Sequence, residues 1–410
     1  MAKKKRLLII SQTFVPDPAS VGQHVADVAM ELARRGHDVR VYTSGRGYED
    51  PSVKYPRREN LHGVDVRRLP LASFGKRSIP IRIVGLISFS TQVICRMLFT
   101  RRLGGIFFST SPPLVGVVAR IGKVLRGVPI AYWAMDLNPD QLIAMGKIRK
   151  QSLRARLLER INRGILKASA LIVPLDRFMA ARIQQRGDFQ AKMLVMPPWP
   201  HEENLQPVDQ ATNPFRIKHA LLGKFVIMYS GNHSPANPLA TLLQAARRFE
   251  ADDRVRFLFV GGGHGKKEVE AAIAAHALKN VISLPYQPLA DLKWSLSAAD
   301  VHVVAMGDNM VGVIHPCKVY GAMAVGRPVL YLGPRPSHIA DLLEKHTFGW
   351  HVAHGDVDGA EQTLREIMQT PTEELQRMGT EAQEVLGREL SQKILCGRLV
   401  DRLEAVFGLK

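Results

Sequence analysis

The chain predicts two α/β domains, each a mainly parallel sheet covered by helices on both faces, with a central cleft between them. Strand-length apolar runs alternate with amphipathic helical stretches up to residue 196, stop across 197–223, and restart at 224. With 410 residues and 46% hydrophobic composition, the chain exceeds the size at which single cores split. The segment His315-Pro316-Cys317-Lys318-Val319-Tyr320-Gly321-Ala322-Met323-Ala324-Val325-Gly326-Arg327-Pro328-Val329-Leu330 places a helix start directly before a buried strand, the αβ half of a nucleotide-binding sheet.

The first domain, 1–200, opens with a strand (Arg6 to Ser11), a long loop, a helix from about Gly22 to Arg35, and a second strand from Asp38 to Thr43. The loop lacks G-x-G-x-x-G, which disfavours a nicotinamide or flavin site. Further strands read at Gly105 to Phe108, Pro129 to Trp133, Ala170 to Val173 and Met193 to Met196. Pro197-Pro198-Trp199-Pro200 and the polar run from Glu202 to Asn213 form a connection.

The second domain, 201–388, alternates again. Strands read at Lys224 to Tyr229, Val255 to Val260, Val281 to Leu284 and Val301 to Val304. Helices read at Pro238 to Phe249, Lys266 to Ala277 and Leu289 to Ala298. The remainder reads as helical to Phe407, and 389–410 supplies a last helix able to pack back on the first domain.

Charge is uneven. Residues 1–200 hold 34 Lys and Arg against 13 Asp and Glu, a net of +21; the remaining 22 basic and 24 acidic residues give −2. The arginines are scattered and lack the aromatic stacking platform expected for nucleic acid, so an anionic membrane surface fits better. Ile79 to Phe99 is apolar but interrupted by Ser88, Ser90, Thr91, Gln92 and Arg96, and flanked by Lys76, Arg77, Arg82, Arg101 and Arg102. It falls short of the ~20 uninterrupted apolar residues of a span. It reads either as an interfacial helix or as a core helix. Cys95, Cys317 and Cys396 lie in no metal or redox spacing, which points to a reducing compartment.

In the 315–330 segment, Pro316 at a first helical turn and Lys318 beside it offer N–H groups and positive charge to an anion, although an ordinary helix with an exposed lysine has the same pattern. Gly326 would stop that helix.

Several strings together resemble glycosyltransferase family 4, the retaining GT-B enzymes. In the second domain these are Tyr229-Ser230-Gly231-Asn232, Val260-Gly261-Gly262-Gly263, Leu284-Pro285-Tyr286-Gln287-Pro288, Ser297-Ala298-Ala299-Asp300-Val301 and the 315–330 segment. In the first they are Gly36-His37-Asp38-Val39, Ser109-Thr110-Ser111-Pro112-Pro113-Leu114 and Met135-Asp136-Leu137-Asn138-Pro139-Asp140. The last two resemble the branch that builds bacterial O-antigen, capsule or exopolysaccharide on membrane lipid carriers.

The resemblance implies a GT-B fold of two Rossmann-like α/β domains. It also implies transfer of a hexosyl or N-acetylhexosaminyl group from a nucleotide-sugar to a lipid-linked or glycan acceptor, by an enzyme peripheral on the cytoplasmic face of the cell membrane. Lys318, with the backbone after Pro316 and Cys317, would neutralise the donor diphosphate. Gly22 would let backbone approach the same phosphates, or serve only as a helix cap. Gly231, Asn232, His233 and Gly262 would face the cleft, Tyr286 and Gln287 would border the nucleobase, and His315 and Tyr320 would lie beside the donor. No metal or other cofactor is implied, since there is no carboxylate pair to hold one. Asp136 would orient or activate the acceptor hydroxyl, a helix-capping role being the other reading, while His24 and His264 read as surface or cap residues.

Two departures stand out. The family's paired glutamates fall at Val313 and Gly321, neither able to accept a hydroxyl hydrogen bond. Its arginine and lysine after the second domain's first strand are replaced by Asn232-His233 and a Ser-Pro-Ala-Asn turn. A nucleotide-sugar 2-epimerase of the same architecture and a catalytically silent membrane-associated scaffold are the alternative readings.

Overall fold

The structure, a computed structural model, describes residues 5–48, 50–72, 74, 79–201 and 205–409; residues 1–4, Lys76, Arg77 and the start of the polar run at Glu202 lie outside them. The chain divides into two compact units, Met1–Pro198 with Lys393–Lys410, and Trp199–Gln392.

The first unit runs β1 (Arg6–Ile10), α1 (Ser20–Arg34), β2 (Asp38–Ser44), β3 (Arg58–Leu61), β4 (Val64–Leu69), α2 (Ile79–Leu98), β5 (Leu103–Phe108), α3 (Val115–Arg126), β6 (Ile130–Ala134), α4 (Asp140–Ala144), α5 (Leu153–Ala168), β7 (Leu171–Pro174) and α6 (Arg177–Gln184). Its sheet has the order β3-β4-β2-β1-β5-β6-β7, parallel except for β3. The central strands β1, β5 and β6 are apolar nearly throughout because helices cover both faces. Helix α1 ends in a Schellman turn: Gly36 takes φ +87, its N–H bonds Ala33 O, and His37 N–H bonds Leu32 O.

Two elements differ from expectation. Met193 to Met196 forms no strand; after a 3-10 turn at Gln190–Lys192 it touches β7 through one bridge to Ile172, and Leu194 and Met196 donate to Ile172 O and Pro174 O. The prolines that follow have no N–H to extend a ladder. The β3–β4 hairpin was not expected, because its first strand reads Arg-Glu-Asn-Leu and its turn is His62-Gly63, both at positive φ.

Helix α2 turns Gly85, Phe89, Val93 and Met97 inward at i, i+4 spacing. Its opposite face exposes Val84, Ile87 and Leu98, and Phe99 just beyond it is 86% exposed. By length and composition alone Pro80–Leu98 is apolar enough to cross a membrane.

The second unit runs α7 (Pro214–Lys218), β8 (Phe225–Ser230), α8 (Ala240–Arg247), β9 (Val255–Val260), α9 (Lys266–His276), β10 (Val281–Leu284), α10 (Leu292–Ser297), β11 (Val301–Ala305), α11 (Lys318–Ala324), β12 (Val329–Leu332), α12 (His338–Lys345), β13 (Gly349–Val352), α13 (Val357–Gln369) and α14 (Thr372–Val385). Its all-parallel order is β10-β9-β8-β11-β12-β13, the 3-2-1-4-5-6 arrangement of a dinucleotide fold. β13 was not expected: only Val352 of its four residues is fully buried, so its apolar signal is weak. The helix expected over 289–298 is a 3-10 turn followed by α10. Asp300 pins the start of β8, accepting from Val226 N at 2.7 Å and from Arg216.

The last helix, α15 (Gln392–Phe407), belongs to the first unit from Lys393 onward. Glu404, 5% exposed, pairs with Arg35 at 3.1 Å and His37 at 2.8 Å. The Phe407 ring occupies the space left by the missing Cβ of Gly105.

Candidate active site

In the second unit the chain reverses its direction of travel across the sheet between β8 and β11, and ligands of such sheets bind beyond the carboxyl ends of the strands at that point. Gly231-Asn232-His233 leaves β8, Gly261-Gly262-Gly263 leaves β9, Tyr286-Gln287 leaves β10, and the segment leading to Lys318 leaves β11.

Lys318 dominates the electrostatics. Its side chain crosses Gly231, and Nζ lies 5.4 Å from the centre of the Tyr229 ring. Among the described residues it has no hydrogen-bond or ion-pair partner. Burial holds its ammonium well below the usual lysine range, at about 8. A desolvated cation with no protein counter-charge is poised for an anionic ligand. The Pro316 expectation is corrected: α11 begins at Lys318 and has seven residues, so Pro316 precedes the helix instead of opening it. Gly326 ends it as expected, with φ +61 and bonds from Gly326 N to Met323 O and Arg327 N to Ala322 O.

The glycine loops pack backbone to backbone, since a Cβ on Gly261 would collide with Gly231 O. Tyr286, 59% exposed, lies across Gly262 and donates to its carbonyl at 3.3 Å. Gln287 bonds Pro285 O in its own turn, and Asn232 is exposed beside them. Lys266, which the sequence did not single out, spends its Nζ on Gly261 O and Leu284 O and so ties the β9 and β10 loops together.

His233 corrects the expectation of a donor contact. Its ring is 1% exposed, 5.0 Å from Tyr229 and bonded through Nδ1 to Gly231 O, and burial depresses its pKa. A neutral imidazole inside the loop supports the glycines and does not present a cation. His315 bonds Tyr320 Oη at 2.7 Å and lies against His338 at 4.3 Å. The Tyr320 ring is 1% exposed, so it orients His315 and is not itself at the surface. Cys317 is exposed beside Lys318. Of the two glutamate positions, Val313 is fully buried, and Gly321 faces Leu296 at van der Waals distance.

In the first unit Asp136 follows β6. It caps no helix: α4 starts after Pro139 without a side-chain cap, and Asp136 Oδ1 accepts from Gln141 Nε2 at 3.1 Å. Burial raises its pKa, opposed in part by that bond, which is the environment of a general base. Gly22 has a packing role, because a Cβ there would press on the Thr13 and Phe14 backbone. His24 is buried edge-on to Trp133, so the surface or cap expectation for it is corrected. Among the described residues no group of three His, Cys, Asp or Glu is placed to hold a metal.

The family described as glycosyl transferase 4-like domain matches residues 20–199, and that described as glycosyl transferases group 1 matches 212–385. The probable glycosyltransferase WbjE of Pseudomonas aeruginosa is 24% identical over 310 residues, 75% of either chain. The putative colanic acid biosynthesis glycosyl transferase WcaI of Escherichia coli is 24% identical over 358 residues, 83% of this chain and 86% of its own. Among solved structures, Anabaena Alr3699/HepE in complex with UDP and glucose superposes with a TM-score of 0.73 at 15% identity, over 98% of this chain and all of the other, a likeness of fold.

Proposed function

Because the chain belongs to glycosyltransferase family 4, with its GT-B pair of Rossmann-like domains, we propose that it moves a sugar from a nucleotide-diphosphate donor to a lipid-linked acceptor in cell-surface polysaccharide synthesis. The observation that carries this reading is the unpartnered, desolvated Lys318 at the switch point of a 3-2-1-4-5-6 sheet. The names of the P. aeruginosa and E. coli relatives, and the UDP and glucose named with the Anabaena structure, support donor and pathway.

In the reaction the bond from the anomeric carbon to the diphosphate oxygen breaks, the acceptor oxygen bonds that carbon, and the acceptor proton leaves to Asp136 or to the departing phosphate. Charge grows on the diphosphate as the bond breaks, so Lys318 stabilises the transition state more than the bound donor. Retention of configuration follows from the family, and in this reading Lys318 and backbone donors meet the charge without a metal. Donor recognition rests on the Gly231 and Gly262 loops and Tyr286, with no carboxylate at Val313 or Gly321 for the sugar or ribose hydroxyls.

The exposed apolar face of α2 and the arginines at its ends suit a helix lying in the headgroup layer of an anionic membrane, on the cytoplasmic face. The deciding experiment incubates the protein with a panel of nucleotide-sugars and no acceptor. One donor should be slowly hydrolysed to free sugar and nucleotide, and Lys318→Ala should suppress it. Binding of a nucleotide without turnover of any nucleotide-sugar, with or without lipid acceptors, would favour the scaffold reading.

A further inference from the structure

Resting on that reading of a lipid-borne acceptor, we propose that a small cavity in the first unit receives the terminal phosphoryl group of the acceptor lipid. The cavity, about 40 Å³, lies beyond β5 and β6 under the start of α3, where Ser109, Thr110, Gly116, Tyr132 and Asn162 line it. An ordered water needs ~10–15 Å³, so the space admits about three oxygen-sized groups. A terminal phosphoryl group has three free oxygens.

Independent features mark it for an anion. Helix α3 has twelve residues, and its cap residue Leu114 sits at φ +65 without a capping side chain; Pro112 O and Leu114 O take the N–H groups of Val115 and Val117, and the positive end of the helix dipole borders the cavity through Leu114, Val115 and Gly116. On the facing helix α5, Asn162 is 6% exposed, and its Nδ2 has no hydrogen-bond partner; Ser109 is fully buried, with its hydroxyl equally unpaired. Buried donors are rarely left unmatched, and these two line one cavity. None of the described residues lining it is acidic. On the same two helices Val117, Leu153 and Leu157 are exposed, and with Arg120 and Arg154 they offer apolar and cationic surface to a lipid bearing that group.

The full-length protein is co-sedimented with phosphatidylcholine vesicles carrying either phosphatidate, a phosphomonoester, or phosphatidylglycerol, a phosphodiester, matched in surface charge. Several-fold better retention on phosphatidate is expected. Asn162→Asp, which puts a carboxylate in the cavity, should abolish that preference while leaving retention on phosphatidylglycerol intact. Ser109→Ala removes a hydroxyl that bonds nothing in the fold, so it keeps the test open if the Asn162 variant misfolds; it should weaken the preference. Equal retention on both vesicles, or a preference unchanged in both variants, overturns the proposal. Inorganic phosphate that protects the protein from thermal unfolding in an Asn162-dependent way, without a phosphatidate preference, would assign the cavity to a soluble anion and also overturn it. Donor hydrolysis by the wild-type protein, measured separately, decides the transfer reading whatever the vesicles show.

Discussion

The side chain of Lys318 reaches the Tyr229 ring only because Gly231, beneath it, has no Cβ. Gly231 also takes φ +136, a region that disfavours every other residue. Strand end and cation are therefore built as one unit.

Replacing Lys318 with Ala tests the cation directly. Losing one charge-assisted contact to a diphosphate should forfeit ~2–4 kcal/mol of transition-state stabilisation, roughly 30- to 1000-fold in donor turnover. The melting temperature of the ligand-free protein should stay level or rise, because a desolvated charge is removed. Steady-state hydrolysis and a thermal melt read the two quantities.

Gly231→Ala should reproduce much of that catalytic loss by displacing Lys318, while adding ~1–3 kcal/mol of backbone strain. Unlike Lys318→Ala, it should lower the melting temperature. Normal turnover in this variant would show that the lysine's path over Gly231 is dispensable.

The depressed pKa of Lys318 fixes the sign of a pH effect. Between about 8 and the ordinary lysine value the unfolded chain binds the proton and the folded one does not, so ligand-free stability should rise with pH across that window. A bound diphosphate favours the charged ammonium, so nucleotide affinity should hold below about 8 and fall above it. Calorimetric titrations with a nucleoside diphosphate across that range provide the check.

Asp136→Asn preserves shape and removes a carboxylate that burial disfavours. A folded-state pKa above the unfolded value means the charged form costs stability at neutral pH, so the variant should melt at or above the wild-type temperature. Transfer to acceptor should fall roughly 100-fold or more while nucleotide binding persists. Early melting with normal transfer per folded molecule would remove Asp136 from the reaction.

For the membrane face, Ile87→Asp alters a side chain that is 59% exposed, so its effect on folding should lie within about 0.5 kcal/mol. Retention on anionic vesicles at low salt should drop sharply. Val93→Asp, on the inward stripe of α2, should instead destabilise the fold.

The sequence alone determined the alternation of strands and helices, the break near 200, the stop at Gly326 and the choice of Lys318 as the candidate donor-site cation, because apolar periodicity and glycine turns act within a few residues of themselves. The β3–β4 hairpin and β13 escaped it: β3 and β13 lie at sheet edges, bury little and carry a weak apolar signal, and the apolar residues of β4 are interrupted by Asp65, Arg67 and Arg68. It also misjudged His233 and Tyr320. Whether a ring at a loop end faces solvent or folds beneath the loop depends on what packs against it: Tyr229 and Phe259 enclose His233. Pairing Asn162 with Ser109 around one cavity likewise needed the packing of α5 against α3, residues more than fifty positions apart brought together by the sheet. Local chemistry is written in the order of residues; burial, and with it the protonation of Lys318 and Asp136, is set by neighbours that only the folded chain supplies.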